Sequence, residues 1–275
     1  MSQLPPQVSA ADLTSRLELA ITAGRAAGVL TLNWFQTEID IERKADQSPV
    51  TIADKSAEQL LRQRIAGAFP FDAILGEEFG EAAGTSGFRW ILDPIDGTKS
   101  FISGVPLYGT MVGVEHSGES LVGLVYLPGL DEGIYAERGG GAWHFRGNET
   151  PRRVHVSRKS SLSSGLFVTS QIDNFADRGA QGVYEQLQKA ASITRTWGDC
   201  YGYLLVATGR AEVMVDPIMN LWDGAAVQPI VEEAGGTFTD WQGNRTFHAG
   251  EGIATNGAVL EEVLAITRPI ASRRA

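Results

Sequence analysis

Residues 90–101, WILDPIDGTKSF, limit what this chain can fold into more sharply than any other stretch. An apolar run of this kind predicts a buried strand, yet it ends in two carboxylates, Asp93 and Asp96. Pro94 disfavours the helical conformation at Asp93 and holds it extended at the strand's end. The chain then turns at once, which can bring Asp96 back to the same side. Two carboxylates so close resist joint ionisation unless a positive charge sits between them. A divalent cation meets that need, and oxygen-only donors favour Mg2+ or Mn2+ over zinc or copper. Gly97 and Thr98 follow, where a helical turn would offer free backbone N–H groups to an anion. Standing alone, an Asp-x-x-Asp pair is more often a solvated turn, so the reading depends on what accompanies it.

Three further acidic segments accompany it. LGEEFG puts Glu77 and Glu78 at the end of another apolar strand, where a surface acid pair is the ordinary alternative. In NLWDGAAVQPIVEEAGG, Asp223 opens a helix and would favour its dipole in any case. SPVTIADKSAEQ sets Asp54 near a helix start, where capping is the default role. Four acidic segments, each at an element's end, could converge on a cluster of two or three metals.

The rest of the pattern predicts mixed layers of helices and sheets. Helical periodicity runs through AADLTSRLELAITAGRAAGVLTLNWF behind Ser9 as N-cap, with Leu13, Leu17 and Ile21 on the core-facing stripe. EIDIERK alternates like a strand, and ADKSAEQLLRQRIAGAF returns to helix. Residues 109–156 are short β-rich runs separated by glycine-rich turns, an antiparallel meander. After GLFVTS, helical QGVYEQLQKAAS and YGYLLVATGR alternate with extended ITRTWGD and AEVMVDP. LWDGAAVQPIVEEAGG reads as one helix ending at a glycine pair, followed by strands GTFTDW and GIATN and a closing helix in AVLEEVLAITR. This order fits α/β or α+β layering in one domain of residues 1–275, divisible into halves near 1–158 and 159–275.

Composition excludes several functions. The 275 residues, 43% hydrophobic and 20% charged, suit a globular domain with an ample core. A net charge of −10 argues against nucleic-acid or anionic-membrane partners, and leaves an anionic substrate in need of a local positive charge. Cys200, the single cysteine, excludes an internal disulfide, suits a reducing compartment and reads as a small buried hydrophobe. Neither a secretory signal nor a run of about 18 apolar residues is present, so the expectation is a cytoplasmic protein. His116, His144, His155 and His248 lack metal-ligand spacing. No nucleotide-binding glycine motif follows a suitable strand, and RGGGAW reads as a hairpin turn.

Taken together, WILDPIDGTKSFISGVP and LWDGAAVQPIVEEAGG resemble the paired signatures of the inositol monophosphatase family of metal-dependent phosphatases. GEE and the stretch carrying Lys44, Thr51 and Asp54 fall where that family's other site segments lie, so the resemblance spans residues 44–236. It implies an α-β-α-β-α sandwich. It also implies a first metal held by Glu77, Asp93 and the Ile95 carbonyl, and a second held by Asp93, Asp96 and Asp223. Glu77 would support a third, looser Mg2+. Thr98, with Asp54 behind it, would orient or deprotonate the attacking water, and the Gly97 and Thr98 amides would hold phosphate. The implied reaction is Mg2+-dependent hydrolysis of a phosphate monoester by metal-activated water attacking in line, without a phosphoenzyme. Bound cations would invert the local field of an acidic chain. A homodimer is implied as well.

TWGDCYGY and VDP resemble the histidinol-phosphatase branch of that family. The resemblance sets Asp216 where family members contact the substrate's alcohol portion, with Asp199 as a second candidate. Histidinol carries an ammonium and an imidazole, and a carboxylate would pair with either when charged. A turn-forming role for Asp216 and a capping role for Asp199 remain open. Trp197 and Tyr201 either wall the substrate pocket or pack in the core. The expected substrate is therefore L-histidinol phosphate. The alternatives are inositol 1-phosphate and a noncatalytic module that binds metal or a phosphometabolite.

Overall fold

Capping boxes start both long N-terminal helices. Helix α1 (Ala10–Thr31) begins where the Ser9 hydroxyl accepts the Asp12 N–H and the Asp12 carboxylate accepts the Ser9 N–H. Helix α2 (Ile52–Ala68) begins at an equivalent pair, Thr51 and Asp54. The computed structural model describes residues 8–271. Leu13, Leu17, Ala20, Ala23 and Ala27 form the buried stripe of α1, with Ile21 at its margin. The helix stops short of the predicted Phe35, because Trp34 and Phe35 turn away to pack on Ile95, Phe101 and Tyr108. The strand expected over EIDIERK shrinks to β1 (Glu42–Arg43), paired with β2 (Pro49–Val50). Both β1 residues are exposed, so the alternation there has no sheet face to bury.

An eight-stranded sheet holds β3 (Ala73–Gly76), β4 (Gly80–Ala82), β5 (Phe88–Asp96), β6 (Gly109–His116), β7 (Glu119–Leu127), β8 (Glu132–Glu137), β9 (Gly141–Arg146) and β10 (Arg152–Arg153). Their order is β10-β9-β8-β7-β6-β5-β3-β4, antiparallel except for β3 beside β5. Strands β6 to β10 are the predicted meander, and RGGGAW makes the β8–β9 turn. A second sheet orders β12 (Ile193–Arg195), β11 (Leu166–Val168), β13 (Val213–Asp216), β15 (Gly252–Thr255) and β14 (Thr237–Thr239).

Side-chain alternation divides the core into layers. Trp90 and Leu92 of β5 face α1 and α2, packing with Leu17, Leu61 and Ile65. Ile91, between them, faces a middle layer of α6 (Asp199–Ala207), α7 (Leu221–Ala225) and α8 (Val227–Glu233). Leu204, Val227 and Ile230 of that layer also meet Met214 and Ala254 of the second sheet. Val213, Val215 and Ile253 face outward onto α5 (Gln181–Ala190) and α9 (Leu260–Thr267), near the short α4 (Asp173–Asp177). The result is the α-β-α-β-α sandwich that the resemblance implied. Among the described residues, no helix is long and apolar enough to cross a membrane.

The helix predicted over LWDGAAVQPIVEEAGG is interrupted at Ala226, dividing α7 from α8. Pro229 has no N–H to donate to the Ala225 carbonyl four residues back. That carbonyl instead accepts the Ser120 hydroxyl of β7 at 2.5 Å. The junction lies directly on the sheet over two register-paired glycines, Gly113 and Gly123. A Cβ on Gly123 would stand 2.0 Å from the Ala226 carbonyl oxygen, and one on Gly113 would stand 2.8 Å from the Ala225 Cβ. Backbone contact of this kind fixes where α7, and hence Asp223, meets the sheet. Gly123→Ala should therefore lower stability in urea unfolding by about 1–3 kcal/mol through overpacking. Gly182→Ala, a control with open space around it in α5, should be neutral or stabilising. Equal effects of the two substitutions would contradict this account of the junction.

Candidate active site

The end of β5 explains how carboxylates three residues apart come to face one point. In an unbroken strand such residues point to opposite faces. Here Asp93 pairs with Met111 and Asp96 with Gly109, so three steps on β5 match two on β6. This bulge restores a common side. Pro94 suits it, having no N–H to lose from the ladder. The Pro94 carbonyl accepts the Thr110 hydroxyl at 2.8 Å, and the Ile95 N–H donates to Asp93 Oδ1 at 3.1 Å.

Asp223 joins the pair from α7. One oxygen from each of Asp93, Asp96 and Asp223 lies within 4.8 Å of the others. Asp223 also accepts the Asn220 N–H at 2.6 Å, so its helix-start role and its place in the cluster hold together. Glu77 follows β3, and its N–H donates to the Leu92 carbonyl at 3.2 Å, continuing the pairing with β5. Its carboxylate meets Lys44 Nζ at 2.6 Å, and Glu78 meets the same ammonium at 2.7 Å.

Burial and mutual repulsion dominate the electrostatics. Burial pushes Asp93 well above the usual carboxylate range, and the charges of Glu77, Asp96 and Asp223 push it further. Asp96 is raised by burial and by Asp199 and Asp223, against the Cys200 N–H that it accepts. Asp223 is pushed up to about 8 by burial, with repulsion from Glu77 adding to it. Glu78 is raised to about 7 by burial, against the pull of Lys44.

Glu77, Asp96 and Asp223 border a cleft of about 540 Å3. Asp199 and Asp216 line the same cleft. The Asp216 carboxylate accepts Tyr203 Oη–H at 2.7 Å and the Ser170 hydroxyl at 2.8 Å. Burial raises it to about 7 despite both bonds. Asp199 is the first residue of α6, and its N–H donates to Ser170 Oγ at 2.8 Å. Its carboxylate makes no cap bond, since Gly198 is the N-cap and has no side chain. Burial raises this group too.

Asp199 adopts φ 50°, a left-handed conformation that aspartate tolerates better than most residues. Opposite it, Gly97 has φ 82°, and a Cβ there would lie 3.0 Å from Asp199 Oδ2. Both the backbone angle and the space call for glycine.

Thr98 opens α3 (Thr98–Ile102), and its hydroxyl donates to the Ile95 carbonyl at 3.1 Å. Asp54 lies behind the cleft, buried, with Oδ2 accepting both the Thr51 N–H and hydroxyl. The capping role considered for Asp54 is thus present, and no hydrogen bond joins it to Thr98. Burial raises its pKa, with the charge of Glu77 contributing. Cys200 is fully buried, and burial pushes its thiol up, in keeping with an inert role.

Neither Trp197 nor Tyr201 lines the cleft, and Tyr201 packs against the main core, the second of the two roles expected. They line a separate apolar hollow of about 410 Å3 with Leu107, Leu166 and Leu205. Trp197 is 43% exposed there. The residues that sequence reasoning missed are Ser170, Tyr203 and Lys99. Tyr203 sits four residues after Asp199 on one helix face, a spacing that could have marked it. Ser170 follows the short strand β11, with no comparable signal.

A layered sandwich whose cleft gathers a cluster of carboxylate oxygens at a bulged strand end is the build of a metal-dependent phosphatase. The chain belongs to the inositol monophosphatase family, whose model matches residues 12–272. It is 44% identical over 255 residues to the histidinol-phosphatase of Chlorobaculum parvum, covering 92% of this chain and 96% of that protein. Identity to the Streptomyces coelicolor histidinol-phosphatase is 38% over 258 residues, covering 92% and 97%. Among solved structures, a Thermotoga maritima IMPase superposes with a TM-score of 0.82 at 30% identity, covering 93% of this chain and 98% of that one.

The raised carboxyls make a thermal prediction. Asp216 and Asp223 hold protons in the folded state up to about 7 and about 8, against an ordinary 3.8. Between those limits the folded chain binds more protons than the unfolded one, so stability must fall as pH rises. In chelator, Tm should therefore drop between about pH 5 and pH 8. Adding Mg2+ should raise it more at pH 8 than at pH 5.5. A Tm in chelator that rose across this window, or a Mg2+ gain independent of pH, would contradict the charge crowding.

Proposed function

We propose that this protein is a Mg2+-dependent phosphomonoesterase that converts L-histidinol phosphate to L-histidinol and phosphate in histidine biosynthesis. The observation that carries the reading is a cleft with more carboxylates than a cation cluster uses. Asp93, Asp96 and Asp223 bring their oxygens within 4.8 Å of one another. Asp199 and Asp216 also line the cleft, Asp216 held by Ser170 and Tyr203. A substrate whose phosphate meets the cations and whose alcohol portion is cationic matches both sets.

The donor set suits hard cations. All the groups are oxygens, and their raised carboxyls can exchange protons for metal. Glu77, Asp93, Asp96, Asp223 and the Ile95 carbonyl would hold two or three cations, Mg2+ in preference to Mn2+. Bound there, the cations supply the positive charge that a phosphate dianion needs and make water more acidic. The chain's own groups do the positioning. The Gly97 and Thr98 amides hold the phosphate at the start of α3. Thr98, with Asp54 behind it, and Glu77 orient the attacking water, whose proton passes to a carboxylate of Asp54 or Glu77. Asp199 and Asp216 pair with the ammonium or imidazolium of the alcohol portion, and that charge draws both carboxyls back toward ionisation.

The similarity to two histidinol-phosphatases supports this substrate. Inositol 1-phosphate is the second reading: a protonated Asp216, with its carboxyl at about 7, could equally hydrogen-bond a hydroxyl. We read residues 1–275 as one domain, since the middle helices, all from the second half, pack on both sheets. The single cysteine is consistent with the cytoplasm. Exposed Trp197 and Ile193 support a homodimer.

Side-by-side kinetics with Mg2+ should give the higher kcat/KM for L-histidinol phosphate. Asp216→Asn should lower that value by about 10–100-fold, the worth of one charge-assisted bond, and change the value for inositol 1-phosphate little. A parent enzyme that favours inositol 1-phosphate would remove the histidinol assignment and leave the phosphatase. Phosphatase activity that survives thorough chelation would remove the metal-dependent reading itself.

A further inference from the structure

Glu58 is a fully buried carboxylate that the reaction described above does not use. It lies one turn beyond Asp54 on α2 and points beneath the turn that joins β3 to β4. Its Oε2 accepts the Glu78 N–H at 2.7 Å, and its Oε1 accepts the Phe79 N–H at 3.2 Å. Arg62 Nε completes the set at 2.7 Å, while Arg62 Nη2 donates to the Gly80 carbonyl of the same turn. The fit is close enough to require glycine at position 76, where a Cβ would lie 2.0 Å from Glu58 Oε1.

This turn carries Glu77. On its N-terminal side Glu77 is fixed by its own N–H, which donates to Leu92 of β5. On its C-terminal side nothing apolar packs the turn from outside: Phe79 is 44% exposed and β4 is exposed throughout. The β3–β4 pairing closes the turn at Gly76 and Gly80 and Lys44 bridges Glu77 and Glu78, while from beneath the Glu58 carboxylate binds two successive amides as a fixed anion. A buried charge held by an arginine and two N–H groups is a rigid support for the backbone between them.

We propose that Glu58 is a positioning residue for the cation site. By holding the Glu78 and Phe79 amides, it aims the Glu77 carboxylate at Asp93 and so sets the affinity for the divalent cation. The inference rests on the reading of Glu77 as a metal ligand. A carboxylate that orients a ligand through its backbone plays the part that outer-layer hydrogen bonds play in metal sites generally.

The test is Mn2+ binding by the full chain, followed by electron paramagnetic resonance and calorimetry. Glu58→Gln keeps the volume but loses the charge and sets an amide N–H against backbone N–H groups. It should weaken Mn2+ binding by about tenfold or more, with kcat at saturating metal within about twofold of the parent. Glu212→Gln is the control: Glu212 is buried and accepts the Leu166 N–H at 2.6 Å in the other sheet. It should lower Tm and leave Mn2+ affinity unchanged. Arg62→Gln, on the solvent side of the same carboxylate, is the second variant if Glu58→Gln does not fold. It should weaken Mn2+ binding in the same direction. Parental Mn2+ affinity in a folded Glu58 or Arg62 variant, with only Tm reduced, overturns the proposal. A parent chain that binds no Mn2+ overturns the metal site first and this inference with it.

Discussion

Like charges forced together in a space with little water are the constraint on which this protein depends. Glu77, Asp93, Asp96 and Asp223 meet where two sheets and a helix layer converge, with Asp199 and Asp216 adding to their repulsion. Lys44 bonds Glu77 and Glu78 and Lys99 offsets Asp199, but among the described residues no cationic side chain pairs with Asp93, Asp96 or Asp223. The site answers with protons, which is why the carboxyls stand above their ordinary range. A divalent cation is the better answer, and the fold keeps the oxygens in place for it.

Keeping them in place is the work of backbone features more than of side-chain packing. The β5 bulge turns a three-residue spacing into a shared direction. Proline appears at both critical points, at Pro94 where a ladder donor would be surplus and at Pro229 where the missing donor interrupts a helix. Freed by that interruption, the Ala225 carbonyl turns to Ser120, and the helix settles onto Gly113 and Gly123. Asp223 is delivered at the first turn of the helix so placed. A turn anchored from below by Glu58 delivers Glu77 in a comparable way.

Much of this was legible in the sequence, and the illegible part has physical causes. Apolar runs ending in acids marked β3 and β5, and alternating periodicities marked mixed layering, while the order of the layers came only from the family resemblance. Asp54 and Asp223 were ambiguous between capping and cluster, and the structure gives each a capping bond as well as a place near the acids. The helix interruption was readable from Pro229 but was masked by strong periodicity on either side. The Ser170–Asp216–Tyr203 network joins β11, β13 and α6, and no local pattern encodes such a meeting. Trp197 and Tyr201 stayed ambiguous because aromatics near an acidic motif suit a pocket wall, a core or an exposed hollow equally; Tyr201 packs on the core and Trp197 is exposed.

The most direct measurement is the number of protons released when Mg2+ binds at pH 6.5, taken from calorimetry in buffers of different ionisation enthalpy. If crowded carboxyls hold protons that the cation replaces, the parent chain should release protons on binding, and Asp93→Asn should bind weakly or not at all and lose turnover. Mg2+ binding without proton release, or an Asp93→Asn variant with parental affinity and rate, would contradict the account.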